Sequence, residues 1–166
     1  MLTTNTSWNK FVLRIPVNTT KKNLYTAWAT AEGINTWFLR KCRYWDADEH
    51  ELSTTTPVQK GTYHWVWHGH SDAVFEKNEV LDGNGVDYFK FGFEGCIVTI
   101  NIEEKDGYCL LTLTQEAIIF DDDPAENLYV QCGFGWTFYL TNLKSILEGG
   151  LDLRNKDMKL LGVLNA

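Results

Sequence analysis

The sequence predicts an α+β domain in which one antiparallel sheet packs against a long C-terminal helix. Two observations favour this class. A run of amphipathic strands separated by glycine-containing turns fills the middle of the chain, and a regular apolar stripe follows near its end. The 166 residues are 44% hydrophobic and 14% aromatic, which is typical of one folded unit. We therefore expect a single domain over residues 1–166, with its core at about 8–154 and a C-terminal tail at 151–166.

The first predicted element is a strand over residues 9–15. Its alternating apolar residues, which share one face, are Phe11, Leu13 and Ile15. Proline lacks the amide hydrogen that a strand donates, so we expect Pro16 to end this strand.

Two short helices are predicted to follow. Asn18 and Thr19 are suitable N-caps for a helix that extends to about residue 29, and Gly33 is expected to close it. A second short helical segment is expected over residues 34–39.

An antiparallel meander of five strands is predicted after an acidic, poorly periodic loop at 46–59. The expected strands cover 61–68, 70–81, 86–93, 96–104 and 108–117. The expected turns lie at Gly69, Asp82-Gly83, Gly95 and Asp106-Gly107. With the first strand this gives a sheet of about six strands, one face of which is rich in aromatic residues.

The C-terminal helix is predicted to begin at Asp123-Pro124-Ala125-Glu126, which reads as a capping box with proline in the first turn. We expect the helix to extend from about residue 124 to Leu147. Its apolar stripe consists of Trp136, Leu140, Leu143 and Leu147. Gly133 and Gly135 lie inside it, which suggests a kink or a close backbone approach. The aromatic face of the sheet is the expected partner of the stripe.

This order of elements resembles the START-like (SRPBCC) superfamily. The residues that carry the resemblance are Trp28, Trp37-Phe38, Gly135-Trp136 with the leucines that follow, Glu148-Gly149 and Asp152-Leu153-Arg154. Within the superfamily the chain is most similar to the AHSA-type branch, named for activators of the large heat-shock-protein ATPase, over about Trp8 to Arg154. The resemblance implies a helix-grip fold, in which a curved sheet wraps the long helix and leaves a cavity between them.

Members of this superfamily include ligand carriers, co-chaperones and enzymes, so the fold alone does not select a function. We expect non-catalytic binding of a small hydrophobic or amphipathic molecule in the cavity. The expected ligand-binding residues are Trp65, Trp67, Phe89, Phe91, Val98, Ile100, Leu113, Trp136 and Leu140. Candidate polar groups that could orient the ligand are Gln115, Gln131 and Tyr139.

Three alternatives remain open at this point. The first short helices, through Trp28 and Trp37, could fill the cavity completely. The protein could be a chaperone-associated interaction protein of the AHSA type. It could also be a cyclase- or hydrolase-like enzyme, although no catalytic motif of an enzymatic branch matches a run of its residues.

The charge balance argues against several classes of partner. The chain has 15 Lys and Arg against 22 Asp and Glu, a net charge of −7, which opposes binding to nucleic acid or an anionic membrane. Residues 1–8 lack the basic and apolar regions of a secretory signal, and no apolar stretch is long enough to span a bilayer. Four widely spaced cysteines without a CxxC pair suggest reduced thiols. We therefore expect a cytoplasmic protein, with a homodimer left open.

Other chemistry has weaker support in the sequence. His64, His68 and His70 have the parity of one strand face and could bind zinc, but we interpret them as surface or turn histidines. The acidic run 121–123 is expected to complement a helix dipole, and Cys42 is expected to be a buried thiol. We therefore predict no catalytic residue, no metal and no cofactor.

Overall fold

The computed structural model describes residues 7–160 and 162–164. The strands of this part are β1 (Lys10–Val17), β2 (Lys41–Asp46), β3 (Gly61–Val66), β4 (Phe75–Gly83), β5 (Tyr88–Phe93), β6 (Cys96–Lys105) and β7 (Tyr108–Glu116). The helices are α1 (Lys21–Ala29), α2 (Ala31–Trp37) and α3 (Leu128–Leu147). None of these helices is both long and apolar enough to cross a bilayer. Most of the N-terminal segment and part of the tail, 1–6, 161 and 165–166, lie outside the described residues.

The strands form one antiparallel sheet in the order β1-β7-β6-β5-β4-β3-β2. The α+β class, the two short helices after the first strand and the long C-terminal helix are confirmed. The sheet has seven described strands rather than about six. The additional strand is β2, which pairs with β3 and places Tyr44 opposite Tyr63.

The first strand was expected to end at Pro16, but it continues to Val17. β1 is an edge strand, because β7 is its one neighbour in the sheet. The Pro16 carbonyl accepts a hydrogen bond from Lys144 Nζ at 2.7 Å and so points away from β7. In an antiparallel strand the amide nitrogen of a residue lies on the same side as its carbonyl. The Pro16 nitrogen, which carries no hydrogen, therefore faces the open edge of the sheet. Its lack of an N–H group costs no hydrogen bond between β1 and β7.

Gly33 does not close the first helix but lies inside α2. The N-cap of α2 is Thr30, whose hydroxyl oxygen accepts a hydrogen bond from the Gly33 amide at 2.9 Å. A Cβ at position 33 would lie 2.2 Å from the Thr26 carbonyl oxygen. Glycine is therefore required here because the first turn of α2 packs directly on the end of α1.

The long helix begins four residues later than expected. Asp123 and Pro124 form a separate turn, in which the Asp123 carbonyl accepts from the amides of Glu126 and Asn127. The N-cap is Asn127, a buried residue whose side-chain oxygen accepts from the Val130 amide and whose amide group donates to the Asp121 carbonyl. Of the two possible N-caps, Asp123 and Asn127, the helix uses Asn127, because both the oxygen and the amide group of its side chain have hydrogen-bond partners.

One face of the sheet forms the core. The apolar residues of its central strands are buried there, whereas Leu13 and Ile15 on the edge strand β1 are half-buried. The middle of this face is covered by α1 and α2, whose Trp28 and Trp37 are fully buried. The Trp28 ring lies 6.1 Å from Phe91 on the sheet and 5.8 Å from Trp136 on α3. The short helices therefore fill the centre of the space between the sheet and α3, and any open space must lie towards one end.

The segment after α3 is fixed to α2 by a polar network. Arg154 is buried, and each of its five N–H groups has an acceptor: two on the Asp152 carboxylate and three backbone carbonyls. The carbonyls belong to Asn35, Thr36 and Leu39. Asn142 of α3 adds a hydrogen bond to the Trp37 carbonyl at 2.7 Å. The carbonyl end of a short helix is thus satisfied by side chains more than 100 positions away.

Beyond Arg154 the described tail does not bury its apolar side chains on the sheet edge. Met158, Leu160, Val163 and Leu164 are all exposed.

Candidate functional site

An open, mainly apolar pocket lies between the first half of α3, the C-terminal end of α2 and the turn that joins β5 to β6. Its volume is about 280 Å³, near the lower end of the range of about 300 to 1,000 Å³ for small-molecule sites. The lining residues are Phe38, Trp67, Phe93, Glu94, Leu128, Gln131, Cys132, Gly135, Trp136 and Tyr139. The pocket is therefore large enough for a small organic molecule of one or two rings.

Five aromatic rings form a continuous wall of this pocket. The Phe38 ring centroid lies 5.8 Å from Trp67, 5.2 Å from Trp136 and 4.7 Å from Tyr139. Phe93 lies 5.2 Å from Trp136 and 6.4 Å from Trp67. These separations are those of favourable aromatic pairs, so the wall is stabilised by its own contacts.

The position of Phe38 is set by the network at the end of α2. Phe38 is the C-cap of α2, and its amide donates to the Ile34 carbonyl. Arg154 and Asn142 hold the carbonyls of the residues on both sides of it. The tail residue Arg154 therefore fixes one wall of the pocket without touching its interior.

Glu94 is placed at the pocket by a two-residue turn between β5 and β6. Phe93 pairs with Cys96, and the two residues between them, Glu94 and Gly95, have φ of 50° and 73°. This left-handed geometry is that of a type I′ hairpin turn, and Gly95 is the turn residue expected from the sequence. The turn brings the Glu94 carboxyl to the end of the Phe89/Phe91/Phe93 row.

The ionisable groups of the pocket are all shifted towards their neutral forms. Burial raises the pKa of Glu94, and the nearby Glu76 carboxylate raises it further. Burial also raises the pKa of Cys132 to about 11 and that of Tyr139 to about 12, although Arg154 partly opposes the second shift. The Cys132 thiol and the Tyr139 hydroxyl are therefore neutral at physiological pH, and neither is an activated nucleophile.

Two of the three polar groups proposed from the sequence line the pocket. Gln131 lies at the mouth and donates from Nε2 to the Pro124 carbonyl at 2.9 Å, while Tyr139 lies deeper. Gln115 lies below the pocket floor instead. It is fully buried and accepts a hydrogen bond from the Trp136 indole, so it supports the wall from behind.

The structure separates the nine expected ligand-binding residues into two groups. Trp67 and Trp136 line the pocket. The other seven lie in the packed core beneath it: Trp65, Phe89, Phe91, Val98, Ile100, Leu113 and Leu140. These seven residues do not reach the pocket because Trp28 and Trp37 occupy the space that a deeper ligand would need.

Several lining residues were not assigned to the site from the sequence. Phe38 entered the sequence analysis only through the family resemblance, and Cys132 only as one of the four reduced thiols. Glu94 was missed, although it directly follows the aromatic row of β5 and precedes the turn glycine. Strand alternation alone would place Glu94 on the opposite face from Phe93, so the strand pattern carried no signal for it. The turn, with its positive φ, brings Glu94 to the pocket.

The other candidate sites do not form reactive centres in the described residues. Cys42 is buried, as expected, and burial raises the pKa of its thiol to about 12. His64 stacks on Phe75 at 4.9 Å and does not cluster with His68 and His70. The one cluster with metal-like spacing in the described part of the chain is Asp46, Asp48 and His50, an exposed loop in which Asp46 accepts two backbone amides.

Comparison of the sequence with protein-family models and with curated proteins finds no match. Comparison with solved structures finds the same fold in several bacterial proteins. The protein SSP2350 from Staphylococcus saprophyticus has a TM-score of 0.65 at 17% identity, over 87% of this chain and 96% of that one. The solution structure of the Aha1 dimer from Colwellia psychrerythraea has a TM-score of 0.65 at 15% identity, over 85% of this chain and 97% of that one.

CalU16 from Micromonospora echinospora is a further match, with a TM-score of 0.56 at 15% identity over 87% of this chain and 77% of that one. At such identities the similarity establishes the fold. The chain shares with these proteins the α+β fold that was expected, an antiparallel sheet packed against a long C-terminal helix.

Proposed function

We propose that this protein binds a small hydrophobic or amphipathic molecule in the pocket between α3 and the β5–β6 turn, without catalysing a reaction on it. The observation that carries the proposal is the aromatic wall around Phe38, which faces an open volume of about 280 Å³ rather than another element. Apolar pockets with a few polar groups at the rim are typical of small-molecule sites.

The supporting geometry favours binding over catalysis. The thiol and the phenol that line the pocket have raised pKa values, so they lack the anionic form that a nucleophile needs. Gln131 and Glu94 lie at the rim, where they can orient the polar end of a ligand. The ligand-binding residues of this proposal are therefore Trp67 and Trp136 from the sequence analysis, together with Phe38, Phe93, Glu94 and Tyr139.

As secondary parts of this proposal, the chain belongs to the AHSA-type branch and has a chaperone as a partner. Their support is the similarity in fold to Aha1 and the Gly135-Trp136 helix. A homodimer is supported by the dimeric state of that neighbour and by the exposed apolar side chains of the tail. A cytoplasmic location is supported by four buried free cysteines.

Two helical glycines allow a matched test. A Cβ at Gly133 or at Gly135 would meet no atom within 4 Å, so both positions have open space around them. Gly135 lines the pocket, whereas Gly133 lies about 200° away around α3, on the surface near Phe134. Gly135→Leu should block the pocket, and Gly133→Leu should leave it open.

The probe is N-phenyl-1-naphthylamine, a neutral dye whose fluorescence rises in apolar surroundings. We expect the parent and Gly133→Leu to bind it with a Kd of about 10 to 100 µM, and Gly135→Leu to bind at least about tenfold more weakly. Equal binding by all three proteins, loss only in Gly133→Leu, or absence of binding by the parent would contradict the proposal.

A further inference from the structure

The charge pattern of the pocket indicates which class of hydrophobic ligand it would take. Glu94 is the one carboxyl group among the ten lining residues, and these include no lysine, arginine or histidine. The remaining lining groups are aromatic, aliphatic or neutral at physiological pH. A ligand anion would thus find no cationic partner in the lining.

The nearest buried cation is not available to a ligand either. Arg154 approaches Tyr139 closely enough to affect its pKa, but all five of its N–H groups already donate to Asp152 and to three backbone carbonyls at the end of α2. A ligand carboxylate could reach this guanidinium only by replacing those bonds. Arg154 therefore acts within the fold and does not form an anion site.

Glu94 has no cationic partner within the described residues. No salt bridge there involves it, whereas its backbone amide donates to Glu76 Oε1 at 3.2 Å, which brings a second carboxylate near. Glu94 thus lies at the rim of the aromatic pocket, and a second carboxylate, that of Glu76, lies close behind it, outside the lining. A positive charge placed there would relieve their mutual repulsion.

The aromatic wall favours the same sign of charge. The ring faces of Trp, Tyr and Phe carry negative potential and attract ammonium groups within about 6 Å of the ring centre. Phe93 lies directly before Glu94 in the chain and contacts both Trp67 and Trp136. A cation beside the Glu94 carboxyl would therefore lie next to aromatic rings.

We propose that the ligand of this pocket is a small hydrophobic cation, an ammonium ion with an aromatic or aliphatic body, whose charge lies beside Glu94. This proposal rests on the proposed function and specifies the chemical class of the ligand. It excludes fatty acids and other apolar anions as good ligands, because their carboxylate would meet Glu94 and Glu76.

Three probes with the same phenylpropyl body test the sign of the charge: 3-phenylpropyltrimethylammonium, 3-phenylpropan-1-ol and 4-phenylbutanoate. Their dissociation constants are measured at pH 7.5 by isothermal titration calorimetry. We expect the ammonium ion to bind about tenfold more tightly than the alcohol, and the carboxylate to bind more weakly than the alcohol.

Glu94→Gln removes the charge and keeps the size of the side chain, so it should abolish the preference for the ammonium ion while the alcohol binds as before. The matched control is Glu103→Gln, which removes the same charge from an exposed position at the far end of β6. In that variant the preference should persist.

The outcomes distinguish this inference from the proposed function. Binding of the alcohol with no preference for the ammonium ion, or an equal loss of preference in Glu94→Gln and Glu103→Gln, would overturn the inference and leave the neutral pocket intact. Tightest binding of the carboxylate would also overturn it. Absence of binding by all three probes, together with no dye binding, would overturn both.

Discussion

The indole nitrogen of Trp136 donates a hydrogen bond to the side-chain oxygen of Gln115 at 2.8 Å, and both residues are buried. This bond joins α3 to β7 at the base of the pocket. It gives the Trp136 ring a fixed orientation, with one edge towards the sheet and contacts to Phe38 and Phe93 on its other sides.

Trp136→Ala should therefore be severely destabilising. It removes a buried indole and leaves the Gln115 oxygen without its donor, so we expect a loss of about 3 to 5 kcal/mol in the free energy of unfolding. Chemical denaturation monitored by circular dichroism measures this loss. The control is Phe134→Ala on the exposed side of the same helix, for which we expect a change within about 0.5 kcal/mol. Similar stability of the two variants would contradict the position of α3.

The Arg154 network predicts a second strong effect. Arg154→Met removes all five donors, so three backbone carbonyls at the end of α2 lose a partner and the Asp152 carboxylate keeps only Lys156 and Asn142 as side-chain partners. This should cost about 3 to 5 kcal/mol. Arg154→Lys should restore only part of this stability, because an ammonium group cannot reproduce the planar arrangement of donors. Arg14→Met, at an exposed residue of β1, is the control and should change stability little.

The same network predicts a pH dependence. Burial alone would raise the pKa of Asp152, but hydrogen bonds from Arg154 and Lys156 outweigh it and lower the pKa below its ordinary value. The stability that the Asp152 carboxylate contributes is therefore present at neutral pH and is lost as the pH falls below that ordinary value. We expect the difference between the parent and Arg154→Met to shrink on acidification from pH 7 to pH 3. A difference that is constant over this range would argue against the ion pair as its source.

Glu94 should show the opposite dependence, because its pKa is raised. Ionisation of this carboxyl costs more in the folded protein than in the unfolded chain, so its destabilising effect grows as the pH rises from below the ordinary pKa to above the raised one. Glu94→Gln should therefore match the parent in stability near pH 3 and exceed it at pH 7. Melting temperatures of both proteins over this range test the sign, and a parent that is the more stable at pH 7 would contradict it.

The turn that carries Glu94 makes a related prediction. Asn adopts the left-handed conformation more readily than Glu, so Glu94→Asn should stabilise the protein by about 0.5 to 1 kcal/mol at pH 7. It should also lose the preference for an ammonium ligand. Such a variant, more stable and less selective, is expected where a residue is retained for binding rather than for folding. The equivalent position of the β6–β7 turn, Asp106, also has a positive φ and serves as a control site for Asn.

Much of the fold was predictable from the sequence because its signals are local. The alternation in β5 to β7 follows from a period of two, and the stripe of α3 follows from helical spacing. Strand β2 was missed because its burial depends on pairing with β3, which residue type alone does not indicate. The start of α3 was misplaced because two adequate caps lie four residues apart, and the residue types do not show that the turn at 121–126 brings the Asp121 carbonyl to the Asn127 side chain.

The site was less predictable than the fold, for a physical reason. The sequence indicates which side chains face the layer between sheet and helix, and Trp67 and Trp136 were assigned on that basis. It does not indicate how much of that layer Trp28 and Trp37 fill, because this depends on how α1 and α2 pack against the sheet. It also does not indicate that Gly133 and Gly135 have open space around them rather than a close neighbour.

Chemical-shift mapping by NMR with 3-phenylpropyltrimethylammonium shows directly whether this pocket binds a ligand. We expect saturable shifts of the Gly135 and Glu94 amides and of the Trp67 and Trp136 indole groups, with a single dissociation constant. The Gly133 amide and the indole of Trp8, which lie on another face of the protein, should not change. Shifts confined to the Trp8 and Gly133 surface, or no saturable shift at any of these groups, would contradict the assignment of the pocket as a ligand-binding site.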